Sequence, residues 1–147
     1  FGAPLMVHAR NRAGTLLQAA TRRGATVLLY EAGEALRFDE DAIDSGVAGV
    51  RRVLGATGVI DGPIGPDDPS LASRSTTWVR AGRSGILHLA VGLGDRVERR
   101  QVLGSIDDAF GNSVATVRAP RDGMVIGCTR SPLVNRGDAV AHIAELA

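Results

Sequence analysis

The chain has 147 residues, 44% of them hydrophobic and 22% charged, the balance of a folded globular protein of one ordinary domain or two small ones. All 17 residues of the Lys+Arg total are arginines, so a Schiff base to substrate, a P-loop lysine and a lysine carrying biotin or lipoate are excluded. A net charge of +1, with 8 Arg against 9 acids up to Arg74 and 9 Arg against 7 acids beyond it, supplies no basic face for nucleic acid, and no apolar run approaches the roughly 20 residues of a membrane span.

Residues 4–9 and 26–31 are short continuous apolar runs of the kind that form buried parallel strands. Between them Leu16, Leu17 and Ala20 recur at helical spacing over residues 14–23, ahead of Gly24, so the pattern predicts a βαβ unit. A second helix is expected over residues 39–56, with Ile43, Val47, Val50 and Leu54 spaced to form one apolar stripe. Its acidic start at Asp39, Glu40 and Asp41 and its basic end at Arg51 and Arg52 both suit the helix dipole. From Asp61 to Ser70, three prolines and two glycines exclude a helix or a sheet interior. That marks a linker over residues 61–74, between a first domain, 1–60, and a second, 75–147. Beyond it the pattern is of short strands between glycine turns, with candidates at 76–80, 85–91, 101–106, 114–119, 123–127 and 139–143.

The second half carries an internal repeat. Ser84-Gly85-Ile86 leads to Gly94-Asp95-Arg96-Val97, and Asp122-Gly123-Met124-Val125 leads to Gly137-Asp138-Ala139-Val140. In each Gly-Asp turn the glycine supplies positive φ and the aspartate hydrogen-bonds its own backbone. Two such halves, joined through Arg118-Ala119-Pro120-Arg121-Asp122-Gly123, resemble the lipoyl/biotinyl-like domain, a barrel-sandwich hybrid. Carrier domains of that type hold their cofactor on a lysine at a hairpin tip. Here residues 107–113 read Asp-Asp-Ala-Phe-Gly-Asn-Ser, so the resemblance implies the fold without biotin or lipoate.

The candidate chemistry lies in Tyr30-Glu31-Ala32-Gly33-Glu34-Ala35-Leu36-Arg37-Phe38-Asp39. Glu31 follows an apolar run and precedes a turn at Gly33, and a carboxylate at the end of a buried strand is where α/β enzymes keep a general base. The same position equally suits a cap or a salt-bridge partner. Arg37 is either a bidentate clamp for a substrate carboxylate or a partner for Asp39 or Asp41, and the second reading is preferred. Of the three histidines, His8 lies near a strand end and His88 within a strand of the second half. Only His142 and Glu145 have His-x-x-Glu spacing, and on a final strand positions three apart face opposite sides and cannot chelate one ion. Trp78, the only tryptophan, is expected to pack the linker against the β-domain.

The run from Tyr30 to Asp41, followed by a linker and a lipoyl-like half, resembles the succinylglutamate desuccinylase/aspartoacylase family over nearly the whole chain. The resemblance implies the closing α/β segment of a zinc carboxypeptidase-like domain followed by an all-β lipoyl/biotinyl-like domain. It also implies a zinc ion, held by a His-x-x-Glu pair and a later histidine, that activates water against a small N-acyl amide. The family's proton-shuttling Glu-x-Gly motif falls on Glu31-Ala32-Gly33, which makes Glu31 general base and then general acid; Glu34, outside the motif, is the second choice. The family's metal ligands lie in the part of the chain before this one, so zinc is expected in the full-length protein, with no metal ligand in this chain and no activity from it alone. The opening at Phe1 inside an apolar pattern fits a C-terminal portion of a longer protein. The lone Cys128 fits a cytoplasmic setting, and a homo-oligomer is expected. The rival reading is a non-enzymatic β-sandwich interaction module in which Glu31 is structural.

Overall fold

Two side chains start the two helices. Thr15 accepts a hydrogen bond from the Gln18 N–H at 3.3 Å ahead of α1 (Leu16–Arg22), and Asp39 accepts one from the Ala42 N–H at 3.0 Å ahead of α2 (Glu40–Ala56). Both helices belong to the first of the two units, Phe1–Leu71 and Ala72–Ala147, into which the computed structural model divides. The structure describes residues 1–9, 12–62, 65 and 68–146. Pro63, Ile64, Pro66 and Asp67, on which part of the linker reading rests, lie outside the described residues.

In the first unit the helices stand where the periodicity put them and the strands do not. Residues 26–31 form no strand, and Leu28, Leu29 and Tyr30 are exposed, so the expected βαβ unit is not made. A parallel strand exists only as a member of a sheet, and among the described residues no strand pairs with this run. Residues 4–9 shorten to β1 (Leu5–Val7), whose neighbour is β2 (Leu71–Ser73), a strand inside the stretch read as linker. The Leu71 N–H donates to the Pro4 carbonyl at 2.9 Å, and the Ser70 hydroxyl to the Ala3 carbonyl at 2.6 Å.

α2 packs its small-residue face rather than its apolar stripe. Ala42, Gly46, Gly49 and Val53 share a face at i, i+4, i+7 and i+11. Against that face lie the rings of Phe1 and Tyr30, their centroids 5.0 Å apart. The Tyr30 hydroxyl donates to the Ala42 carbonyl at 2.9 Å, and Gly49 is the buried residue of the helix. Ile43, Val47 and Val50 of the apolar stripe are exposed. The helix also runs on to Ala56, so its last turn carries no basic side chain; Arg52 instead donates to the Phe1 carbonyl at 3.1 Å.

The second unit is built from β3 (Thr76–Arg80), β4 (Gly85–Leu89), β5 (Arg96–Val97), β6 (Val102–Asp107), β7 (Ser113–Arg118), β8 (Gly123–Cys128), β9 (Leu133–Val134) and β10 (Ala139–Ala144). They form two four-stranded sheets, ordered β3-β10-β8-β5 and β7-β6-β4-β9, with antiparallel pairing throughout. The orders superimpose if β7 stands for β3, β6 for β10, β4 for β8 and β9 for β5, so the sequence repeat is a repeat of architecture. Its turns match as well. Gly94 and Gly137 have φ of 86° and 97°, and Asp95 and Asp138 accept from the N–H groups of Gly92 and Asn135 at 2.8 and 2.7 Å. Leu103, Ile106, Val125, Val140 and Ile143 are fully buried in one core fed by both sheets. Trp78, expected to pack the linker, is half exposed and stacks on His142, its register partner on β10, at 3.9 Å between ring centroids.

Candidate functional site

The stretch from Tyr30 to Asp39 turns twice through positive φ, at Gly33 (72°) and Leu36 (65°), and is anchored at both ends on α2. Tyr30 holds one end through the Ala42 carbonyl, and Asp39 holds the other as helix cap. Between the stretch and the helix runs an open groove of about 550 Å³, lined on one wall by Gly33, Glu34, Arg37 and Phe38 and on the other by Ile43, Val47, Val50 and Arg51. A left-handed leucine such as Leu36, fully exposed, is held there by its surroundings rather than by its own preference.

Glu31 is exposed, beside the groove rather than in its wall. Glu34, the competing assignment, is in the wall, and its Oε1 pairs with Arg37 Nε at 3.0 Å. Arg37 therefore pairs with Glu34, not with Asp39 or Asp41 as the preferred reading had it. The cause is geometric, since the Asp39 carboxylate is committed to the helix N-terminus. Both side chains of the Glu34–Arg37 pair keep much of their solvent contact, so the pair is a weak constraint and Arg37 is free to exchange partners.

No group of three or more His, Cys, Asp or Glu among the described residues is placed to hold a metal ion. The groove lining offers two carboxylates, Glu34 paired with Arg37 and Asp39 capping α2, and two arginines, with no histidine or cysteine, a donor set that does not fit zinc. His8 is exposed at the end of β1. His142 lies against Trp78, while Glu145 takes a 2.7 Å hydrogen bond from Arg121, so this His-x-x-Glu spacing makes no chelate. The pairing of His88 with Asp107 was not legible in the sequence, because it depends on the register of two strands separated by 12 residues of loop, turn and strand, from Ala90 to Gln101.

No family model matches the chain. Among curated proteins it is 31% identical to the N-alpha-acetyl-L-2,4-diaminobutyric acid deacetylase of Halomonas elongata, covering 99% of this chain and 45% of that protein. Among solved structures, a succinylglutamate desuccinylase/aspartoacylase from Rhodobacter sphaeroides superimposes with a TM-score of 0.81 at 27% identity, over 99% of this chain and 46% of the other. The product-bound ectoine utilization protein EutE (DoeB) of Ruegeria pomeroyi, at 24% identity and TM-score 0.85 over 97% of this chain and 45% of its own, shares the fold. The chain thus spans less than half the length of the relatives it matches.

A small helical unit followed by a β-unit of two like sheets defines the class by fold, and both units are matched along their length by parts of deacylase-type proteins. In sequence and fold the chain is similar to a portion of succinylglutamate desuccinylase/aspartoacylase proteins.

Proposed function

We propose that the chain supplies the proton-handling half of a zinc-dependent deacylase acting on a small N-acyl amino acid, with Glu31 as general base and then general acid. The observation that carries this reading is the Glu31-Ala32-Gly33 turn, fastened to α2 at both flanks beside an open groove, in a chain 31% identical to a deacetylase of an N-acetylated amino acid. A carboxylate exposed at the mouth of a groove is accessible to the proton of an attacking water and to a departing amine. Arg37, held only by a half-exposed carboxylate, is free to turn toward a substrate carboxylate. In this reading the ligands of the catalytic zinc lie in polypeptide outside this chain, and the chain alone is inactive.

The exposed stripe Ile43, Val47 and Val50 supports the same reading, because an amphipathic helix folds by burying its apolar stripe and no described residue of this unit buries it. The β-unit is proposed to be a lipoyl/biotinyl-like barrel-sandwich domain without a carrier role. Its two like-ordered sheets support that, and the β6–β7 tip, where Phe110 is 91% exposed, carries no lysine. A cytoplasmic homo-oligomer completes the proposal; no helix among the described residues is long and apolar enough to cross a membrane.

Fusing the chain behind the part of the Halomonas relative that it does not match tests this. The fusion is expected to release the acetyl group from an N-acetylated diamino acid, while the chain alone does not. Glu31→Gln in the fusion is expected to lower kcat by about 10²–10⁴-fold with the zinc content unchanged, and Glu34→Gln to leave most of it. Full activity of the Glu31→Gln fusion, or turnover by the isolated chain, overturns the assignment.

A further inference from the structure

Asp107, at the end of β6, has one carboxylate oxygen, Oδ1, sealed from solvent with no hydrogen-bond donor, while the other, Oδ2, lies 3.5 Å from Nε2 of His88. A carboxylate with a desolvated, unpaired oxygen is costly unless a positive charge faces it. Among the described residues the only ion-pair partner that reaches Asp107 is His88. Their separation is too long for a charge-assisted hydrogen bond, which closes to about 2.7–2.9 Å. It is close to the distance of about 3.4 Å between two ligand atoms that each sit about 2.0–2.1 Å from one tetrahedral ion.

The sheet fixes this spacing. Ile86 faces Asp107 across the β4–β6 ladder and Ser105 faces His88, so His88 and Asp107 are diagonal neighbours on the same face. The β6–β7 ladder slips register between Ile106 and Asp107, a local irregularity of the kind that re-aims a side chain. His88 keeps 63% of its side-chain surface exposed, whereas the Asp107 side chain keeps 20%, so an ion meets a solvent-accessible imidazole backed by a partly buried carboxylate.

We propose that His88 and Asp107 form a two-ligand site for a borderline divalent cation such as Zn²⁺, Ni²⁺ or Cu²⁺, the remaining positions being filled by water or by a donor from another molecule. One imidazole and one carboxylate form a donor set for these ions rather than for the all-oxygen coordination of Ca²⁺ or Mg²⁺. With two protein ligands the site exchanges its ion instead of sequestering it. Nε2 carries the lone pair, so the ring proton belongs on Nδ1, and a proton taken up at Nε2 competes with the metal. The site lies within the β-unit and does not depend on the Glu31 assignment, and the failure of either leaves the other standing.

Metal-free chain titrated with Zn²⁺, Ni²⁺ and Cu²⁺ by calorimetry, with the ring signals of the three histidines followed by NMR, tests the site. One ion per chain is expected, bound most tightly for Cu²⁺ as the Irving–Williams order requires, with the His88 ring signals moving first. His88→Gln and the isosteric Asp107→Asn are each expected to weaken binding at least about tenfold, and His8→Gln to leave it unchanged. No saturable binding of any of the three ions overturns the proposal, as does binding that follows His8 or His142, or an Asp107→Asn chain that binds as tightly as the parent.

Discussion

Asp108 fixes the tip of the β6–β7 hairpin: its carboxylate accepts from the N–H groups of Phe110 and Asn112 at 2.8 and 2.9 Å and from the Asn112 side-chain amide at 3.1 Å. The side-chain hydrogen bond from Asn112, then the backbone one, holds its acidity below the ordinary value of 3.8, because both favour the charged form. A lowered folded value means that the charged carboxylate stabilises the loop fully above about pH 3.8, and the contribution disappears as the pH falls through the lowered value. An NMR titration is expected to find Asp108 below 3.8 in the parent and shifted back toward it in Asn112→Ala. Backbone proximity sets a different limit at Gly123. A methyl group there would meet the Ala144 carbonyl oxygen and come within 2.7 Å of Ile143 Cγ2, and a methyl at the repeat-related Gly85 would meet the Asp107 carbonyl and Ile106 Cγ2 in the same way. A backbone oxygen within a ladder has nowhere to go, so Gly123→Ala is expected to cost about 1–3 kcal/mol in urea denaturation of the β-unit. Gly94 and Gly137 were visible in the sequence as turn residues and Gly85 and Gly123 as strand starts; that the latter two make room for a neighbouring strand depends on register, which no local pattern carries.

At the scale of elements, α2 shows which part of a pattern is local and which is not. Its start at Asp39 was legible because capping is decided within four residues. Its apolar stripe was legible too, but not what the stripe touches. Tyr30 and Phe1 take the small-residue face, where a methyl at Gly46 would lie 3.0 Å from Tyr30 Cε1, and the larger residues are left to solvent. The run Val27-Leu28-Leu29-Tyr30 fails as a strand for the same reason: its composition asks for neighbours on both sides, and a sequence does not say whether they are present. The β-unit was read nearly strand for strand because alternation and Gly-Asp turns are short-range signals, and only the two-residue strands β5 and β9 went unseen. A test of the uncovered stripe follows at Val47, which is 54% exposed. Val47→Lys in this chain is expected to change thermal stability by no more than about 0.5 kcal/mol, since an exposed helical site gains as much propensity as it loses contact. In the fusion with the remainder of a relative, the same substitution is expected to lower the melting temperature, because there the stripe has a partner to lose.

Over the whole molecule, burial is divided unevenly between the units. The first buries Gly49 alone among its described residues, while the second buries Leu103, Ile106, Val125, Val140 and Ile143 completely. Local opening is cheapest where few apolar contacts oppose it, so hydrogen exchange is expected to divide the chain in the same way. Amides of β4, β6, β8 and β10 should exchange slowest, at the global rate of the β-unit, and those of residues 26–38 within the first time point. Leu103 faces the common core from β6, and deleting its side chain leaves a void that two hydrogen-bonded sheets cannot easily collapse around. Leu103→Ala is therefore expected to cost about 2–5 kcal/mol and to raise exchange in all four central strands together, in both sheets, since one core serves both. An increase confined to the sheet that contains β6 would mean instead that the two sheets are separately stable layers, and the shared core drawn from the burial pattern would have to be given up.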